Sequence, residues 1–157
     1  DFTPTMFTDR AGASLRRTSD AFDLAMNVVF ESGLQHLGVT PESLQRVPDY
    51  VRRYLAEVPV AWDETRFLDG WPGQFVVLAR RKGARWYLGG INGGDEPRDV
   101  ELDLGFVGAI RQGTLIADGR DARSFRREDI GPDARTLRVL VPGRGGFVAV
   151  LVPPGEG

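Results

Sequence analysis

Asp63 and Glu64 stand side by side between two tryptophans, Trp62 and Trp71, in the stretch VAWDETRFLDGW of a 157-residue chain. Paired acids with aromatic faces nearby are the residue types of a sugar-cleaving site, where one carboxyl protonates the leaving oxygen and the other acts as base or nucleophile. That chemistry needs both carboxyl groups in one cleft, roughly 5 to 9.5 Å apart. Neighbours on an extended strand point to opposite faces. Asp63 and Glu64 are therefore expected to be scaffold, bonded to backbone donors or to an arginine, or simply solvated. The tryptophans offer a second chemistry, a flat apolar face for a sugar ring. Trp86 lies mid-strand and reads as core, while Trp71, in the turn-like DGWPG, is expected to be exposed. Trp71, and after it Trp62, are the carbohydrate-contact candidates.

The remaining candidates are weaker. His36 is the only histidine, so it cannot supply a two-histidine metal site, and it has neither a cysteine nor an evident serine partner. It is expected at the surface near a helix C-terminus. GGINGG is glycine-rich, but it ends a strand and opens no helix, so the phosphate-cradling geometry is absent. PGRGG reads as a hairpin connection and RREDIGPD as a solvated loop. The residues alone yield no catalytic and no metal-ligating assignment.

Composition narrows the class. Hydrophobic residues make up 41% and charged residues 27%, which suits a soluble globular chain. Twenty basic residues against 22 acidic ones leave a net charge of −2, so neither a nucleic-acid nor a membrane-surface partner is expected. With no cysteine, disulfides and thiolate metal sites are excluded. The apolar runs fall far short of the roughly 20 residues that span a bilayer. No signal-peptide pattern is visible, and the chain opens at Asp1 and not at Met, which leaves room for a preceding segment.

The elements that must position these residues fall into two parts. Residues 1–17 show no period and read as loop. SDAFDLAMNVVFESGLQHLG predicts a helix from an N-cap at Ser19 or Asp20 to a stop at Gly38. Its apolar residues cover most of the circumference and leave only Asp23, Asn27 and Glu31 as a polar stripe. Such a helix must be covered from more than one direction. Thr40 and Pro41 open a second helix, and PDYVRRYLAEV gives a third. From about Val60 the period becomes two. QFVVLARR predicts a central strand, with Lys82-Gly83 as the hairpin turn into ARWYLGGIN. DVELDL alternates, with Val100, Leu102 and Leu104 inward. GTLIAD is a further strand, and TLRVLV and FVAVLV are expected to form a last hairpin. The fold class is thus mainly β with an N-terminal helical segment, an antiparallel sandwich or barrel-like domain.

The order DFTPTMF, LAMNVVFESGLQ, VPVAWDETRFLDGWPGQFVVLARRKGARWYLGGING and the closing GGFVAVLV resembles the C-terminal end of glycoside hydrolase family 97, bacterial α-glucosidases and α-galactosidases. The chain departs from the family pattern in reading SDAFDLA where a Thr-x-x-His-Gln-Leu-Ala run is usual, and in having Gly33 where a proline is usual. The resemblance implies that residues 1–57 are the helical end of a catalytic (β/α)₈ barrel and residues 58–157 a C-terminal antiparallel β-domain. It also implies that the catalytic glutamates and a calcium ion belong to preceding domains, so that no cofactor and no catalytic residue is carried over here. A bacterial periplasmic or secreted location follows from the same resemblance. The expected role is an accessory domain that steadies the barrel, inactive by itself, whose partners are the N-terminal and barrel domains. The rivals are a carbohydrate-binding module that uses Trp71 and Trp62 on a saccharide, and a stand-alone interaction domain whose uncovered helix face forms a homodimer.

Overall fold

The computed structural model describes residues 2–5, 7 and 16–155. The chain begins with strand β1 (Phe2–Thr5), helix α1 (Asp20–Val29), the short strand β2 (Gln35–Leu37), and helices α2 (Pro41–Arg46) and α3 (Asp49–Glu57). Eight strands follow: β3 (Glu64–Trp71), β4 (Phe75–Lys82), β5 (Arg85–Asn92), β6 (Arg98–Asp103), β7 (Gln112–Asp118), β8 (Phe125–Ile130), β9 (Thr136–Val141) and β10 (Gly146–Val152). A single 3₁₀ turn, Gly105–Val107, lies between β6 and β7.

Six strands make one antiparallel sheet in the order β3-β4-β5-β10-β7-β8. Strands β6 and β9 pair antiparallel in a separate small sheet. One face of the large sheet packs on β6 and β9 through Leu88, Leu115, Phe147 and Leu151 against Val100, Leu102, Val139 and Val141. The other face carries the helices, with Leu24, Ala25 and Val28 of α1 and Val51 and Tyr54 of α3 set against Tyr87, Ile116 and Val148. Strand β10 shows how the sequence divides between these cores: Phe147, Ala149 and Leu151 face one way, Val148 the other. A strand apolar on both faces is stable only in the middle of a covered sheet. Each fully buried leucine or valine contributes about 1.5–3 kcal/mol, so the layer order follows from the pattern of side chains.

Two glycines of the GGING run let the layers meet. Gly89 faces α1, and a methyl group there would lie 2.7 Å from Cβ of Val28. Gly90, pointing the other way, lies under the ring of Phe147, which a methyl would meet at 2.2 Å. The glycine-rich stretch is a docking surface for a helix on one face and an aromatic ring on the other.

Helix starts follow the sequence closely. Ser19 Oγ accepts from the Phe22 N–H at 3.0 Å, and Thr40 and Ser43 form a reciprocal capping box with Pro41 at the first turn. Several expectations need correction. Helix α1 stops at Val29, eight residues short of Leu37, because Phe30 caps it with an N–H to Met26 O and the chain then turns extended. Residues 35–37 instead pair in parallel with β1, so residues 2–5 are strand where loop was expected. The polar stripe of α1 is not solvated: Asp23 and Asn27 are buried, as is Asp20. Nor does α1 stand half-uncovered, since β5 and β10 and further segments enclose it.

In the sheet, the β4–β5 turn is Gly83-Ala84, with Lys82 already paired to Arg85. Strands β9 and β10 form no hairpin. Strand β9 alternates buried and exposed residues and pairs with β6, while the wholly apolar β10 enters the large sheet between β5 and β7. PGRGG therefore carries the chain from one sheet to the other. Of RREDIGPD, expected to be a solvated loop, Arg126–Ile130 belong to the edge strand β8. Its charges suit a sheet edge, where they discourage pairing with another chain.

Candidate functional site

Asp63 and Glu64 sit where β3 begins, beside the β4–β5 turn. Asp63 accepts from the Gly83 N–H at 2.7 Å and from Lys82 Nζ at 3.1 Å. Glu64 accepts from Arg66 Nε at 2.6 Å and Arg81 Nε at 3.1 Å. The Gly83 amide, with Lys82, holds Asp63 below the usual carboxylate range, and Arg66 with Arg81 does the same for Glu64. A glycosidic general acid needs its pKa raised so that it still carries a proton. These two are ionised clamps on a hairpin.

Trp62 and Trp71 lie at opposite ends of β3, more than about 20 Å apart by strand rise. Trp62 packs edge-on to Tyr87 with ring centroids 5.4 Å apart, under the Arg80 guanidinium. Trp71 is 65% exposed, as is Phe67 on the same strand. Together with Val76 and Ile91 they line a concavity of about 660 Å³. The structure thus separates the two tryptophans and gives Trp71 a neighbour, Phe67, that sequence reasoning passed over. Its signal was the placement of an aromatic four residues before Trp71 on a β edge. Trp86 is core, stacked edge-on to Phe106 at 4.9 Å. His36 is exposed on β2 and not at a helix end.

A second cleft, of about 360 Å³, opens on the helix-facing side of the large sheet beside α3. Arg53, Arg85, Arg111 and Arg127 line it with Tyr54 and Glu57, over a floor that includes Val148 and Val150. None of these was singled out from the sequence, because they come from α3, β5, β8, β10 and the residue before β7, and only the fold brings them together.

Three buried acids form a further polar cluster. Arg16 bridges Asp20 and Asp23, and the Thr18 hydroxyl donates to Asp23 at 3.0 Å. Arg123 donates to the backbone carbonyls of Arg16 and Thr18. Asp118 accepts from the Gly146 N–H at 2.9 Å. Burial pushes all three carboxyls above their ordinary range, with Arg16 opposing it at Asp20 and Asp23 and the Ser19 hydroxyl opposing it at Asp118. None lines either cavity. They fasten the N-terminus of α1 to the β7 and β10 ends. Among the described residues, no group of three or more histidine, aspartate or glutamate side chains gathers to hold a metal.

Comparison with known proteins places this geometry. Residues 61–152 match the family described as "Glycosyl-hydrolase 97 C-terminal, oligomerisation". A probable retaining alpha-galactosidase of Streptomyces bingchenggensis is 40% identical over 96% of the chain and 23% of its own length. A retaining alpha-galactosidase of Bacteroides thetaiotaomicron is 41% identical over 79% of the chain and 19% of its own length. The chain therefore spans about a fifth of the curated relatives it matches. Among solved structures, a beta-arabinopyranosidase superposes with a TM-score of 0.80 at 34% identity, covering 90% of this chain and 23% of that one. A glycoside hydrolase family 97 enzyme from Pseudoalteromonas sp. strain K8, an R171K variant, gives 0.78 at 26% identity, covering 86% and 22%.

Proposed function

The chain belongs to glycoside hydrolase family 97 as its C-terminal domain, and from that premise we propose that it steadies the catalytic barrel of a larger hydrolase of the α-galactosidase type. The observation that carries this reading is the β1–α1–β2 unit. A parallel pair of two short strands is an unfinished sheet, since parallel sheets are built from several strands covered on both faces. Here the pair stands apart from the other sheets, and Phe30, Leu34 and Leu37 around β2 are exposed. The unit is suited to continue a barrel contributed by a preceding domain. The role of residues 58–157 is then to hold the unit in register by way of α1.

The parent enzyme is proposed to hydrolyse an α-glycosidic bond with retention, using two carboxyl groups about 5–5.5 Å apart in the preceding domains. Calcium, where the parent uses it, belongs to those domains as well, and a periplasmic or secreted location is part of the same proposal. Deleting residues 61–152 from the parent tests the role. The expected result is a lower unfolding temperature and a loss of soluble enzyme. A deletion variant with unchanged unfolding temperature and unchanged kcat refutes it.

A second reading rests on the Trp71 concavity. Two aromatics, each 65% exposed on one strand, offer a stacking surface to a saccharide or to a second copy of the chain. A tryptophan-fluorescence titration with galactosides, lost in Trp71→Ala, supports the saccharide. Concentration-dependent sedimentation that Trp71→Ala abolishes supports the homodimer. An unchanged response in both removes this reading.

A further inference from the structure

We propose that the cleft beside α3 is a binding site for a small anion of monosaccharide size, a sugar carrying a carboxylate or a phosphate. The site is distinct from the Trp71 concavity and does not depend on the activity assigned to the parent.

Four arginines, Arg53, Arg85, Arg111 and Arg127, line a cleft whose lining holds one acidic residue, Glu57. Glu57 pairs with Arg85 at 3.9 Å, and Arg127 is engaged by Asp129 at 2.9 Å. Arg53 and Arg111 make no ion pair among the described residues. Four positive charges against two negative, Glu57 in the lining and the Asp129 that engages Arg127, stand out in a chain with a net charge of −2. Such a concentration in a concave site focuses the field and draws anions. Arginine recognises carboxylate and phosphate through paired N–H groups.

A second observation is independent of the charges. Tyr54 lines the cleft and is buried, and its hydroxyl has no hydrogen-bond partner among the described residues. Buried hydroxyls are nearly always paired, and an orphan one calls for an explanation. Burial keeps this phenol protonated, so it is available as a donor. The hydroxyl itself is closed to solvent, so an anion seated among the arginines becomes its acceptor once the cleft wall shifts to admit it. The volume of about 360 Å³ falls at the small end of ligand pockets, which suits a single sugar ring and not an oligosaccharide.

Calorimetric titration of the purified chain with galacturonate, galactose 1-phosphate and inorganic phosphate, with galactose as the neutral control, tests the proposal. The expected result is saturable binding of at least one anion, weakened by added salt, and none of galactose. Response to both phosphates but not galacturonate assigns the ligand as a phosphate; response to galacturonate alone assigns it as a sugar acid. The double variant Arg53→Gln/Arg111→Gln, altered only at exposed side chains, is expected to bind at least about tenfold more weakly, the loss of one charge-assisted hydrogen bond or more. Tyr54→Phe is expected to weaken binding severalfold while leaving the unfolding temperature unchanged or higher. Absence of saturable anion binding, galactose binding as well as the anions do, or anion binding unchanged in the double arginine variant overturns the proposal.

Discussion

Gly89→Ala puts a methyl group where α1 meets the sheet. The added Cβ would lie 2.7 Å from Val28 Cβ, 3.1 Å from Val28 Cγ1 and 3.2 Å from the Ala25 carbonyl oxygen. Carbon atoms pack at about 3.5–4.0 Å, so the helix must withdraw by roughly 1 Å. Leu24, Ala25 and Val28 are fully buried, and each loses contact when α1 lifts. Overpacking of this kind costs about 1–3 kcal/mol. Alanine recovers about 0.5–1 kcal/mol of backbone entropy relative to glycine in a strand. The net expectation is a loss of about 1 kcal/mol. Urea unfolding followed by tryptophan fluorescence reads it as a lower midpoint at an unchanged slope. Adding Val28→Gly removes the opposing Cβ, so the double variant is expected to be less destabilised than the sum of its parts. Val28→Ala keeps that Cβ and gives little relief. On the opposite face, Gly90→Ala meets the buried Phe147 ring at 2.2 Å and is expected to cost more than Gly89→Ala. A Gly89→Ala midpoint equal to or above that of the unaltered chain refutes the view that this glycine seats the helix.

Arg16→Met leaves Asp20 and Asp23 buried without their bridging guanidinium and is expected to cost about 3 kcal/mol or more in urea unfolding, with part restored by Asp20→Asn and Asp23→Asn. Burial raises the Asp118 carboxyl in the folded chain, so the folded state binds more protons than the unfolded one just above the ordinary aspartate value of about 3.9. Stability from this group therefore falls as pH rises from there through the raised folded-state value. In Asp118→Asn that part of the pH slope is expected to vanish; an unchanged slope contradicts it. Asp63→Asn and Glu64→Gln, both clamps on the β4–β5 turn, are expected to lower the unfolding temperature slightly, more so at low salt, and to leave kcat of the parent unchanged. A loss of turnover in either marks it as catalytic after all.

Local signals carried much of the architecture. Ser19, Thr40 and Pro41 announce helix starts because caps act within one turn, and DVELDL shows its inward face because one side is wetted. What stayed hidden depends on distant partners. Helix α1 stops at Val29 because residues 35–37 pair with a strand some thirty positions earlier, a tertiary choice that overrides an unbroken apolar pattern. Strand β8 was masked by its charges, which an edge strand tolerates. The exchange of partners between β9 and β10 is written in their contrast, alternating against wholly apolar, but the short PGRGG connection invited a hairpin. Of the sites, the exposure of Trp71 was readable from its turn-like surroundings. The arginine cleft was not, since its residues come from separate elements.

Whether this is a folded accessory domain whose acids are structural is read from hydrolysis of 4-nitrophenyl α-D-galactoside by the purified chain. Release of nitrophenol is expected at the uncatalysed rate across the pH range in which the chain stays folded. Turnover above that rate, abolished by replacing Asp63 or Glu64, would contradict it.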